Sequence, residues 1–185
     1  MAELTASENI EITQPGGSGT DVLVAKKQDS GFFDYNDAAT AITPISVTGG
    51  GASVPLTNDE QGVFTNKLYP PAGVTDVWNE STGLFDFTEL TLGSRMHYRL
   101  DFDVTITGNN AELDTMVELA IGGSPYQLTV DREYFKGAGT YNITVGSFIY
   151  IGDTNTKNNG ARFVVSSSNN ASIVVNGWAC YITTY

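Results

Sequence analysis

The 185 residues carry nine Lys and Arg against 21 Asp and Glu, a formal net charge of −12, which argues against a phosphate-binding nucleic-acid surface and against adhesion to an anionic membrane. One His and one Cys leave no His/Cys metal cluster and no intrachain disulfide. The length suits one domain, and 41% hydrophobic with 11% aromatic residues supplies a core. The charged fraction of 16% falls below the roughly 25% of an average soluble domain, so 22 Thr, 14 Asn and 20 Gly carry much of the polar surface.

Residues 1–30 stand apart. They hold no aromatic residue, include Pro15-Gly16-Gly17-Ser18-Gly19, and offer only Ile10/Ile12 and Val22-Leu23-Val24 as apolar patches. No independent core can be built from that. An extended arm or anchor, a flexible lead-in, or a strand completing the main domain are the available readings. The start, MAELTASENIEITQPGG, lacks a basic segment followed by an apolar run, so no signal peptide is expected. No stretch approaches the roughly 20 apolar residues of a membrane span. Synthesis in a reducing cytosol fits the missing disulfide, and the sequons at Asn79, Asn142 and Asn170 then read as accidents of an Asn- and Thr-rich chain. Residues 31–185 are expected to form the domain, beginning with the first aromatics at Gly31-Phe-Phe-Asp-Tyr-Asn36. Asp37–Ala41 could make one helical turn at most, and Gly49-Gly50-Gly51 and Pro70-Pro71 mark loops.

From about residue 74 the chain reads as successive strands. Val74–Trp78, Gly83–Phe87 and Thr88–Leu92 are short. Arg95–Thr107 is the clearest, because Met96, Tyr98, Leu100, Phe102, Val104 and Ile106 alternate with polar residues at a period of two. Further strands are expected at Val117–Ile121, Tyr126–Val130, Tyr141–Val145, Ser147–Ile151, Arg162–Ser166 and Ser172–Thr184, separated by Gly/Asn turns. The pattern predicts an all-β fold, an antiparallel β-sandwich or jelly roll. In the last strand Ile173, Val175, Ala179 and Tyr181 share one parity, while Val174, Trp178, Cys180 and Ile182 share the other. A strand apolar on both sides is either a central strand under a loop or part of a subunit interface, where Trp and Tyr concentrate.

Chemistry-bearing residues are few. Asp101/Asp103, Asp131/Glu133 and Glu112/Asp114 sit two apart, on one face of a strand at about 6.5–7 Å, a separation that paired-acid glycosidases use. Cross-strand ion pairing explains the same spacing, and no catalytic residue is assigned. Asp153-Thr-Asn155-Thr-Lys157 resembles the opening of a calcium loop, but Lys157 and Val164 stand where ligands belong, excluding an EF-hand. A looser calcium site or a plain polar turn remain. His97 has no partner ligand, and Cys180 reads as a small hydrophobe. Neither metal nor cofactor is expected. Trp78, Trp178, Tyr126, Tyr134, Phe135 and Tyr141 could be sugar-stacking platforms if exposed, or core if not.

Thr140–Asp153, Gly160-Ala-Arg-Phe-Val-Val and Ala171–Tyr185 resemble the closing strands of tumour-necrosis-factor-like and complement-type jelly rolls, and Arg95–Thr107 is similar to their long central strand. Tailed bacteriophages carry this trimeric jelly roll in head decoration (cement) proteins, head fibres and tail-fibre tips. The resemblance covers about residues 74–185. It implies a non-enzymatic bacteriophage structural protein, most simply a capsid decoration protein that binds the major capsid protein as a homotrimer on the virion surface. The alternative it implies is a glycan-recognising receptor-binding tip. Trp178, Tyr181 and Tyr185 are the expected trimer contacts; Ile10, Ile12, Val22, Leu23 and Val24 are the expected capsid-binding positions of the arm.

Overall fold

The computed structural model describes residues 9–13, 22–26, 29–35, 43–57, 66–79 and 82–185. In chain order these form β1 (Asn9–Thr13), β2 (Val22–Lys26), β3 (Ser30–Tyr35), β4 (Ile45–Val47), β5 (Val54–Pro55), β6 (Asn66–Tyr69), β7 (Trp78–Asn79), β8 (Leu84–Phe85), β9 (Arg95–Ile106), β10 (Ala111–Leu119), β11 (Tyr126–Phe135), β12 (Gly139–Tyr150), α1 (Thr154–Asn159), β13 (Ala161–Ser167) and β14 (Ala171–Thr183). Two six-stranded sheets result. The first runs β11-β10-β13-β8-β7 with β5 beside β13; the second runs β12-β9-β14-β3-β6 with β4 beside β14. The chain crosses from second sheet to first between β9 and β10, returns between β11 and β12, and crosses twice more around β13. All the pairings are antiparallel, and the architecture is a jelly-roll β-sandwich.

Strict alternation makes β9 the organiser. Met96, Tyr98, Leu100, Phe102, Val104 and Ile106 are buried against the first sheet, whereas Arg95, His97 and Arg99 face outward. Fully buried Phe33, Phe85, Phe87, Phe102 and Phe163 fill the space between the sheets, each worth about 1.5–3 kcal/mol of transfer free energy. Gly31 lets β3 approach the Pro70-Pro71 corner, since a Cβ there would lie 2.2 Å from the Pro71 nitrogen.

Several boundaries depart from the sequence reading. Of Val74–Trp78 only the end is strand, and Thr88–Leu92 is turn. Side chains satisfy the backbone there: Glu89 accepts from the Thr75 and Asp76 amides, and Asp76 accepts from those of Val77 and Trp78, so the donors need no ladder. The two expected strands Tyr141–Val145 and Ser147–Ile151 merge into one, β12, which runs through Gly146 in register with β9 and ends at Tyr150. The polar turn after Asp153 is the helix α1, and the Asp153 carboxylate caps it by accepting from the Thr156 amide and hydroxyl. Asp37–Ala41 lies outside the described residues.

The two-sided apolarity of the last strand is corrected by a β-bulge. The register on β9 slips between Val175 and Gly177, so Val175 faces Phe102 while Trp178 faces Leu100. Asn176 is the extra residue, and Gly177 takes a φ of 156° that side chains disfavour. Ile173 and Val175 before the bulge, and Trp178, Cys180 and Ile182 after it, therefore all point into one core. Within residues 1–30, β1 and β2 pair with each other as a two-stranded sheet outside both large ones. The expected arm is thus folded back on itself at these positions, while Asp29 is already tied to the domain by the Thr184 amide.

Candidate interaction face

The outer surface of the second sheet is the most distinctive surface of the molecule. Strand register sets Phe148 opposite His97, His97 opposite Tyr181, Tyr181 opposite Phe32, and Phe32 opposite Tyr69. One aromatic row therefore crosses β12, β9, β14, β3 and β6. Phe148, Tyr181 and Tyr69 expose 58%, 49% and 66% of their surface, and the His97 and Phe148 rings lie 5.9 Å apart. Tyr150 and Tyr185 stand exposed at the same end of the sheet, and Tyr185 is held by main-chain bonds to the Thr91 hydroxyl. Arg95 and Arg99 flank His97 on β9. Large aromatics facing water in a continuous row are a feature of association surfaces more than of isolated monomers.

The other half of this face is polar. Arg99 Nε donates to Asp101 at 2.8 Å, the Thr144 hydroxyl donates to Asp101 at 2.7 Å, and the Asn142 amide donates to Asp103 at 2.8 Å. The candidate acid pair Asp101/Asp103 is thereby engaged in cross-strand bonds on an open sheet surface. On the first sheet Arg132 grips Asp114 through two bonds of 2.6 and 2.8 Å and reaches Glu112 at 3.3 Å, while Arg162 pairs with Glu118 at 2.6 Å. The hydrogen bond to Asp114, with that carboxylate's charge, raises the Arg132 pKa. These acids and bases form charge ladders.

Trp178 is corrected as a contact residue. It is 4% exposed and packs against Trp78, Phe85, Tyr35 and Phe163 with ring centroids 4.6–5.4 Å apart. Tyr181 and Tyr185 lie at the surface. Trp78 and Phe135 are likewise core, so of the possible stacking residues Tyr126 and Tyr134 are the exposed ones. Cys180 is fully enclosed, and desolvation drives its thiol pKa up, away from a nucleophile's range. Asp153 is held below its ordinary carboxylate pKa chiefly by the Thr156 amide. Among the described residues no three His, Cys, Asp or Glu side chains are grouped to hold a metal. Ile10, Ile12, Val22, Leu23 and Val24 lie in β1 and β2.

Sequence reading missed Phe148, Tyr150, Phe32 and Tyr69. The parity set by Ile143, Val145 and Ile149 places Phe148 and Tyr150 outside the core, a signal present in the sequence. That Phe32, Tyr181 and Phe148 share one row depends on long-range register.

No family model matches the chain, and no curated protein matches it. Among solved structures, three similarities at TM-scores below 0.5 are as follows. A chain from the structure of infectious bursal disease virus, Gt strain, has a TM-score of 0.48 and 7% identity over all of this chain and 42% of its own. This chain therefore spans less than half the length of that one. The PRD1 vertex protein P5 has a TM-score of 0.38 and 14% identity, covering 98% of this chain and 85% of its own. The Eiger TNF from S. frugiperda has a TM-score of 0.38 and 10% identity, covering 86% and 94%.

Proposed function

We propose that this chain is a non-enzymatic virion structural protein: a bacteriophage capsid decoration (cement) protein, made in the host cytoplasm, that forms a homotrimer and stabilises the head shell by binding the major capsid protein. The aromatic row from Phe148 to Tyr69 carries the reading. Burying it between copies removes its apolar surface from water, and Tyr181 and Tyr185 fall within the same contact. Each copy brings a formal charge of −12, so the contact has to overcome like-charge repulsion. Binding the assembled shell but not its separated parts stabilises the shell by mass action. No substrate, metal or cofactor is required. Light scattering tests the trimer, and heating shells with and without the protein tests the cement role. Glycan recognition at a fibre tip is the second reading, favoured by exposed Tyr126 and Tyr134 on β11. Binding to immobilised glycans, without binding to shells, would select it.

A further inference from the structure

The chain contains two Asn-Gly steps, Asn159-Gly160 and Asn176-Gly177. In such a step the glycine amide nitrogen can attack the side-chain carbonyl carbon of the asparagine, because no Cβ on the following residue obstructs a close approach. The new C–N bond closes a succinimide ring, and the side-chain nitrogen leaves as ammonia, taking the amide proton with it. Water then opens the ring at either carbonyl, leaving aspartate or isoaspartate. Water is the one co-reactant. Ring closure needs a side chain that is free to turn and a backbone that lets the nitrogen come in. The fold treats the two steps in opposite ways.

Asn159 is held on every side. It is the last residue of α1, and its side-chain amide donates to the Asn155 carbonyl oxygen at 2.8 Å and to Asn155 Oδ1 at 3.1 Å. Its own carbonyl oxygen accepts from the Gly122 amide at 3.0 Å. Gly160 is packed just as closely, since a Cβ there would lie 2.9 Å from the Phe85 carbonyl oxygen.

Asn176 is the extra residue of the β14 bulge. Val175 aligns with Phe102 and Gly177 with Asp101, so Asn176 has no register partner on β9. On the other side of the strand β4 pairs as far as Ile173 and β3 begins at Trp178, so Asn176 lies in neither of those ladders. It is exposed, and its side chain has no hydrogen-bond partner among the described residues. A position outside the ladders opens locally at a lower cost than the paired residues around it. We infer that Asn176-Gly177 is a self-modification site, which converts to aspartate and isoaspartate in the folded protein while Asn159 is preserved.

The conversion alters the polar half of the outer face. Asp103 stands opposite Val174 and Asp101 opposite Gly177, so exposed Asn176 lies between their levels. The bonds of Asp101 and Asp103 run along β9 and to β12, away from Asn176. A neutral amide thus becomes a third carboxylate beside two others, and isoaspartate also lengthens the main chain at the bulge.

Peptide mass mapping of the full-length protein, aged in mildly alkaline buffer well below its Tm, tests this. The peptide holding Asn176 should gain one dalton and contain isoaspartate, while the peptide holding Asn159 stays unchanged over the same interval. In guanidinium chloride both should convert, since nothing then holds Asn159. An unchanged Asn176 in the folded protein, or conversion of Asn159 at an equal or higher rate, would overturn the inference. Aspartate without isoaspartate would overturn the cyclic route. As a second readout, the more acidic form that accumulates on isoelectric focusing of the aged protein should be lost in Asn176→Ser; its persistence there would place the reaction elsewhere and refute the assignment.

Discussion

Trp178 separates a core role from a contact role. The indole packs on Trp78, Phe85 and Phe163 of the first sheet and on Tyr35 beside it in its own sheet, so Trp178→Ala removes a large buried ring and leaves a cavity. Such a change costs about 3–5 kcal/mol. For a domain of this size each kcal/mol moves Tm by about 2–4 °C, which gives a fall of about 6–20 °C. Trp178→Phe should cost far less, about 0–2 kcal/mol. The smaller ring keeps most of the packing, and it removes an indole N–H that is buried without an acceptor among the described residues, a burial that itself costs about 1–3 kcal/mol. Urea unfolding followed by circular dichroism, at two protein concentrations tenfold apart, measures both variants. If Trp178→Ala costs under about 1 kcal/mol while weakening self-association, the indole belongs to an intersubunit contact and the bulge argument is wrong.

If the proposed homotrimer forms through the aromatic row, Tyr181→Asp together with Phe148→Asp should abolish it in light scattering while leaving secondary structure intact. Raising salt should tighten self-association by sedimentation, because screening weakens repulsion between chains of the same charge. Asp101→Asn with Asp103→Asn should change stability by about 0–1 kcal/mol and leave shell binding intact; glycan cleavage lost in this variant would refute the non-enzymatic reading. Glu89 is held below the ordinary carboxylate pKa, first by the Thr75 amide. Its stabilising effect is therefore present at neutral pH and disappears as pH falls through the lowered folded-state value. Melting curves from pH 6 to 3 should decline less steeply for Glu89→Gln than for wild type.

The legible parts of the chain are those where one face is buried and the register is unbroken. β9 announces itself over its whole length because each even-numbered side chain from Met96 to Ile106 meets the core. In β14 a single inserted Asn176 inverts the parity, and a one-sided strand then reads as two-sided. α1 was hidden because Thr-Asn-Thr-Lys-Asn-Asn has no apolar period; its cap, Asp153, is its main local signal. The candidate interaction face was legible only in fragments. Tyr181 and Tyr185 stand out as terminal aromatics, but their partners Phe148, Phe32 and Tyr69 are spread over the chain and meet only through the pairing of five strands.

The place of β14 governs how this fold can be made. It lies between β9 and β3 at the centre of the second sheet and also holds β4, yet the ribosome makes it after every strand it joins. Roughly 150 residues separate β3 from the end of β14, so at about 5–20 residues per second β3 waits about 8–30 s for its partner. Until then β9 can pair with β12 and β3 with β6, but the two parts of the second sheet have no strand to join them. Synthesis must therefore run ahead of folding, and the nascent protein is most open to chaperone capture just before its central strand emerges.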